Sequence, residues 1–289
     1  MSGNTKIAWT NRVWNPTTGC SPVSEGCRNC YAARMAKRLA GRCGYPAAPH
    51  QFDVTLHPER LDMPLKWKKP CRVFVDSMSD LFHKNVPTSF LAQVFAVMAI
   101  AREHVFQILT KRPDRIAYVM YPNFDNDVEA WQEQFCFERG WCPQDFEWPL
   151  PNVWLGVSVE NQQAVDERIP WLLKTPAAVR FVSVEPMLGR VDLTHIHDAI
   201  QQIYFDVLGK SRFDYDRHGM GVAAPIPNGI NWVICGGESG PGARPHPPLI
   251  DVRNLKDQCI AAGVPFFLKQ MWGKKMPELD GRVWNEFPG

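Results

Sequence analysis

The sequence predicts an α/β fold, a (β/α)8 or partial TIM-type barrel. Three observations predict it. Short runs rich in Val, Ile, Phe and Trp recur from end to end, at strand length. Most of these runs are near-continuously apolar, as strands covered on both faces should be. Helical stretches fall between them, and that alternation implies right-handed βαβ units around a parallel sheet. Eight such units close naturally into a barrel. A doubly wound open sheet carries the same signature, and periodicity does not separate the two.

The candidate strands, in order, are residues 6–10, 51–56, 71–76, 105–110, 152–158, 179–185, 231–237 and 264–269. Helices are expected at 29–40, 88–103, 113–120, 161–173 and 249–262, with Thr88 as the cap of a mostly buried helix. Two stretches break the rhythm and read as insertions into one domain spanning 1–289. Residues 121–151 carry seven acidic side chains and one basic, and read as decoration. Residues 195–229 are polar, aromatic and Gly-containing. They follow a strand directly, so a lid over the active face is as good a reading as decoration.

The chain has 289 residues, 45% hydrophobic and 21% charged, which suits a soluble globular protein with a sizeable core. A net charge of +2 is too small to argue for nucleic acid by itself. The start, "MSGNTKIAWT", lacks a basic region followed by an apolar stretch, so no secretory signal is expected. The longest apolar run, 94–101, is too short to cross a bilayer. The expected location is cytoplasmic, without membrane contact. Nine cysteines is an odd number, and a disulfide framework is not expected in such a chain. Cys71, Cys235 and Cys259 read as small buried hydrophobes.

Polar residues cluster where candidate strands end: Thr10 and Asn11; Asp76, Ser77, Met78, Ser79 and Asp80; Thr110, Lys111 and Arg112; Ser158, Glu160 and Asn161; Ser183 and Glu185; Gly236 to Ser239; Lys269 and Gln270. In parallel α/β folds ligands bind at the carboxyl ends of strands, so the set predicts a ring around one opening. "GGESGPGARPH" lacks the spacing of a phosphate loop. Its Gly pair more simply admits a ligand close to the backbone, with Arg244 placed to meet a carboxylate or phosphate.

One motif is sharper. Cys20, Cys27 and Cys30 follow the first candidate strand at spacing C-x6-C-x2-C and lead into a helix. Three chemistries use such a set. A structural zinc needs a fourth ligand, and Cys43 or His50 is available. A dithiol C-x-x-C has no need of the third cysteine. An iron–sulfur cluster held by three thiolates leaves one iron open to bind something else. Residues 28–42 add five basic side chains and no acid, a solvated face or the lining of a route for an anionic substrate.

"WNPTTGCSPVSEGCRNCYA", "LHPERLDMPLKWKKP", "VFVDSMSDLF", "ILTKRP", "NVWLGVSVEN", "FVSVEPMLG", "WVICGGESGPGARP" and "FFLKQMWG" occur in this order. Together they resemble a phage- and prophage-associated family of unknown function, grouped with the radical S-adenosylmethionine (SAM) enzymes. The resemblance covers most of the chain outside the two insertions. It implies a 4Fe–4S cluster on Cys20, Cys27 and Cys30. SAM would chelate the fourth iron and be cleaved, by one electron from an external donor, to methionine and a 5′-deoxyadenosyl radical. The first cysteine gap is six here, against three in better-known members. Asn29 replaces the usual aromatic before the last cysteine, and Tyr31 takes over packing against the cofactor. The superfamily's "GGE" place after the second strand reads "LHPERL", making Glu59 the candidate for the SAM amino group.

Strand-end position makes Ser77, Ser158 and Glu160 further cofactor-binding candidates, and Glu185 and Lys111 the catalytic ones. Residues 60–72 hold five basic residues and one acid around Trp67. With the phage association, this points to a nucleic-acid base or nucleotide as substrate. The rival readings are a zinc-stabilised nucleic-acid-binding protein without catalysis and a metal-dependent barrel hydrolase. The hydrolase would need a carboxylate–histidine cluster, for which His195 and His197 are weak material. Oligomeric state, electron donor and product are not written in the sequence.

Overall fold

A computed structural model of the chain describes residues 5–120, 122–215, 221–271 and 273–289. Tyr121 and residues 216–220 of the two expected insertions lie outside the described residues. The chain divides into two units, Met1–Leu155 with Thr175–Ala178, and Gly156–Lys174 with Val179–Gly289.

In the first unit, strands β1 (Arg12–Trp14), β2 (Arg72–Val75) and β3 (Val105–Thr110) run parallel, with Trp14 opposite Val75 and Val75 opposite Ile108. Val73, Val75, Phe106 and Ile108 are buried, as the apolar runs require. Helix α1 (Tyr31–Leu39) follows the cysteine loop. Helix α2 (Thr88–Ile100) is apolar all round and buries nine side chains from Phe90 to Ala99, so it has almost no solvent face. Pro87, not Thr88, occupies its N-cap, and no side chain caps it. Short helix α3 (Pro113–Val119) follows β3.

The acidic stretch after it folds into helix α4 (Phe124–Glu138), which buries Phe124, Val128, Gln132 and Phe135. Phe124, Phe95 of α2 and Trp148 form a three-ring cluster with centroids 5.4–6.1 Å apart. The segment contributes to the core of its unit as well as carrying acidic charge.

Strand β4 (Val153–Val159) is buried along its whole length. In the second unit, helix α5 (Gln162–Lys174) follows it, and Asn161 Oδ1 accepts the Ala164 N–H at 2.9 Å as its cap. Strands β5 (Val179–Val184), β6 (Trp232–Gly236) and β7 (Phe266–Met271) are parallel, with Val182 opposite Val233 and Ile234 opposite Phe267. Trp232 packs between Phe181, Phe267 and Phe287. Helix α6 (Leu249–Ala261) lies between β6 and β7 in sequence. Within residues 195–229, the strands Ile196–Asp198, Ile203–Asp206, Ser211–Tyr215 and Gly221–Pro225 pair as an antiparallel meander, so the expected insertion contains a small sheet of its own.

The protein is therefore mixed α/β with parallel strand pairs. Two expected strands are corrected. Residues 6–10 form no strand: Ala8 and Trp9 sit in a turn, and the Trp9 ring is buried 4.6 Å from Phe74 as a packing plug. Its hydrophobicity serves the core rather than a ladder. Residues 51–56 contribute only Thr55–Leu56, antiparallel to Thr17–Thr18, because the chain before them turns at His50–Asp53. Among the described residues no helix is long and apolar enough to cross a membrane.

Candidate functional site

The cysteine loop is tied to the carboxyl end of β2 by its first residue. Gly19 donates its N–H to Met78 O at 3.0 Å and accepts the Ser79 hydroxyl at 2.7 Å, while the Cys20 N–H reaches Phe52 O at 3.1 Å. Cys27 ends a single 3-10 turn, Glu25–Cys27, and Cys30 occupies the N-cap of α1. All three thiols are free and partly exposed. Cys30 also packs partly against Ala32, Ala36, Tyr45 and Met78.

Asp80 organises what faces Cys20. It accepts from Thr110 Oγ1 at 2.6 Å, from the N–H groups of Lys111 and Phe82 at 3.1 Å each, and from Arg112 Nη1 at 2.8 Å. Arg112 Nη1 also donates to Cys20 Sγ at 3.4 Å, and Nη2 to Ser21 O at 2.7 Å. Burial and then the Asp80 charge push the Cys20 thiol up to about 11, the Arg112 guanidinium opposes them, and Cys27 is near enough to add to the rise. His83 Nδ1 accepts the Asn85 N–H at 3.1 Å. A neutral ring therefore carries its proton on Nε2 and donates it to Ser21 Oγ, 2.8 Å away. Burial, then Arg112, hold the His83 pKa below its ordinary value.

Sequence reasoning missed Asn15, Ser21 and His83. Asn15 Oδ1 accepts from Ser77 Oγ at 3.1 Å and from the Met78 N–H at 3.2 Å, so Ser77 is engaged in bracing this turn. The readable signal was position: Asn15 follows the true β1, whereas Thr10 and Asn11 precede it. Those two bond to the Arg72 backbone at the amino end of β2, which removes them from the expected ring.

Asp76 sits at φ +58° and is buried, accepting the Thr17 N–H at 3.1 Å and the Thr17 hydroxyl at 2.6 Å. Burial pushes its carboxyl from 3.8 up to about 8, against the Thr17 bonds. Folded Asp76 thus keeps a proton that an unfolded chain releases above 3.8. Its stabilising share is complete below that pH and is lost as pH rises through the window up to about 8, at about 1.4 kcal/mol for each pH unit crossed. Asp76→Asn, neutral throughout and tolerant of positive φ, is expected to match the wild type in urea unfolding at about pH 4.5 and to exceed it at about pH 8. A variant weaker than wild type at the higher pH would show the carboxylate to be ionised and satisfied.

Glu59 is 64% exposed on its side chain and pairs with His57 Nδ1 at 3.0 Å, whose Nε2 meets Thr18 Oγ1 at 2.8 Å. Tyr31 stands 60% exposed on the first turn of α1 rather than packed inward. Lys111 is placed by its backbone bond to Asp80. Trp67 is not an open platform, because Arg12 lies 5.0 Å over its ring and His104 packs at 5.6 Å. Cys71 is partly exposed, 3.8 Å from His104 Nδ1, whereas Cys235 and Cys259 are buried as expected. His50 is engaged with Asp53 at 2.8 Å. Among the described residues no three His, Cys, Asp or Glu side chains converge as a ready-made metal site.

The second unit gathers its own strand-end residues. Glu160 is buried and takes Arg168 through both oxygens, at 2.9 and 3.3 Å, while Arg168 also donates to Ser158 O at 2.6 Å. Ser158 Oγ donates to Glu185 O at 2.9 Å. The Glu185 side chain accepts from Lys269 Nζ at 2.6 Å and Gln270 Nε2 at 3.2 Å, both on Oε1. A Cβ on Gly236 would press on that carboxylate at 3.2 Å, and one on Gly237 would strike His246 Nδ1 at 2.2 Å. Arg244 is already committed to Glu238, at 3.0 Å through Nε and 2.8 Å through its N–H, so the glycine loop closes on itself. His195 stacks on Phe213 and His197 packs at a tilt against Tyr204, as aromatic packing of the meander.

The family described as "Protein of unknown function (DUF5131)" matches residues 4–288. No curated protein matches the chain. Among solved structures, a mutant of spore photoproduct lyase is similar at a TM-score of 0.42 and 10% identity, over 91% of this chain and 75% of that chain.

Proposed function

We propose that this chain, which belongs to the DUF5131 family of proteins of unknown function, is a radical SAM enzyme on a partial (β/α) barrel. The observation that carries the reading is the Cys20 corner: three free thiols on one loop, with a fixed guanidinium donating to the first. The donor chemistry fits a cluster of the three-thiolate kind. Cys20, Cys27 and Cys30 would hold it, once their side chains turn toward one another. Bound there, cluster and SAM supply one-electron chemistry that no side chain offers.

The chain's own residues have separable tasks. Arg112 favours charge on Cys20 sulfur, and Asp80 fixes Arg112 in place. Cys30 sits at the N-cap of α1, beside the first N–H groups of the helix. Ser21 and His83 hold the start of the loop. Glu59 and Ser77 are the candidates for SAM in the first unit. Ser158 and Glu160 brace the strand end that presents Glu185. Glu185 and Lys111 are the candidates for meeting substrate.

The test is anaerobic purification with iron and sulfide reconstitution. A brown protein that cleaves SAM after chemical reduction is expected. Cys27→Ala should lose the colour and the cleavage. A colourless protein that retains stoichiometric zinc, and unfolds when the zinc is chelated, would replace this reading with a zinc-stabilised module.

A further inference from the structure

Helix α1 has two unlike faces. Ala32 and Ala36 are buried, and Met35 and Leu39 pack beside them against Tyr45 and Met78. At 100° per residue, Tyr31, Arg34, Lys37 and Arg38 fall on the opposite arc. Arg28 before the helix and Arg42 after it extend the same run, and no acidic residue interrupts 28–42. Arg28, Lys37, Arg38 and Arg42 are exposed and make no ion pair among the described residues. An ordinary solvated helix face carries mixed charge with i, i+4 pairs; this one carries a single sign. The one large uncharged group on it is the Tyr31 ring, 60% exposed, next in sequence to Cys30.

The geometry points to the outer face of α1 as a binding surface for single-stranded nucleic acid, with a base stacked on Tyr31 and the backbone phosphates on Lys37, Arg38 and Arg42. On the helix Arg34 has Lys37 and Arg38 as its i+3 and i+4 neighbours, about 5–6 Å away, with Arg42 just past the helix end; such a run of cations suits a run of phosphates, and an aromatic beside them supplies what a phosphate contact lacks, a partner for a base. A membrane surface would also attract the cations, but it would want an apolar rim, and α1 turns its apolar side chains inward. A duplex keeps its bases stacked and has no use for Tyr31. The inference rests on the enzyme reading only in making the bound strand its substrate. It relocates the nucleic-acid contact from Trp67, whose ring is covered, to the helix that begins at the third cysteine.

The experiment is fluorescence anisotropy with labelled DNA and RNA strands of about 20 nucleotides at about 50 and 200 mM salt, on protein whose iron content and visible spectrum are recorded. Lys37→Gln/Arg38→Gln/Arg42→Gln is expected to weaken binding about tenfold or more at low salt and to reduce the salt slope by about 2. Tyr31→Ala is expected to weaken it between about fivefold and a hundredfold. The tighter of the two strands names the natural polymer. All four side chains are exposed, so circular dichroism should show unchanged folding. The inference is overturned if the wild type does not bind, or if neither variant weakens binding. Equal binding of duplex with no effect of Tyr31→Ala overturns it in favour of duplex. Binding to phosphatidylserine vesicles in place of either strand overturns it in favour of a membrane. A wild type that shows the spectrum but does not bind sinks this inference alone; a wild type that binds but lacks the spectrum sinks the enzyme reading alone.

Discussion

Gly19→Ala is expected to disable the cysteine loop while leaving every thiol in the chain. Gly19 has φ +84°, and a Cβ there would lie 2.1 Å from Asp53 O, 2.5 Å from Asp53 C and 2.8 Å from Phe52 O. All three obstacles are backbone, so no side-chain rotation relieves them. The clash adds to the cost of a left-handed backbone, about 1 kcal/mol for alanine. Both polar groups of Gly19 are engaged, through Met78 and Ser79, and the next N–H is engaged through Phe52. The loop must therefore move off its anchor and carry Cys20 away from Arg112. A loss of about 3 kcal/mol or more in urea unfolding is expected, with iron or zinc affinity lower by about 10–100-fold. Gly41→Ala is the control: its φ is +68°, but no heavy atom lies within 4 Å of the added carbon. It should cost about 1 kcal/mol and leave metal uptake unchanged. If Gly19→Ala takes up iron as the wild type does, the anchor is not what positions the thiols.

The helix–strand alternation was legible in the sequence because buried strands advertise themselves. β2, β3, β4, β5, β6 and β7 all appear near where their apolar runs place them, since runs of strand length rich in β-branched and aromatic residues, such as "VFQILT" or "VRFVSV", suit a sheet covered on both faces. The errors have a common cause: hydrophobicity that serves packing rather than pairing. Trp9 fills a space against Phe74 and so mimics a strand residue. In α4 the helical repeat of Phe124, Val128 and Phe135 is hidden among acidic neighbours, so composition masks period. The site was legible in its residue types, not in its contacts. Cys20 and Arg112 stand 92 positions apart, and the bond between them exists only because β2 and β3 end side by side. Ser21 and His83, 62 positions apart, meet because β1 and β2 are parallel neighbours and the loop after β1 is anchored just past the end of β2. No spacing rule reaches that far.

Asp80 and Arg112 should act in opposite directions on Cys20 while acting together on the fold. The pair is largely buried, with side-chain exposures of 8% and 12%. Asp80→Ala takes the carboxylate from the guanidinium, leaving it the neutral Ser21 carbonyl and the Cys20 sulfur, and frees three other donors, for an expected loss of about 3–5 kcal/mol. Arg112→Met leaves Asp80 with Thr110, Lys111 and Phe82 still donating, so about 1–3 kcal/mol is expected. Coupling in a double-mutant cycle should reach about 0.5–3 kcal/mol. The thiol responds differently. Asp80 raises the Cys20 pKa and Arg112 lowers it, from a net position of about 11. Asp80→Asn, which keeps the shape and drops the charge, should bring the ionisation of Cys20 to lower pH. Arg112→Met should move it higher. The rate of Cys20 alkylation against pH reads both effects on metal-free protein, with Cys27, Cys30 and the other accessible thiols, Cys43, Cys71 and Cys142, replaced by Ser to isolate the signal. A cation that merely braces the loop would change stability and leave the alkylation profile where it was. Profiles that move the same way in both variants would mean that the guanidinium does not face the sulfur.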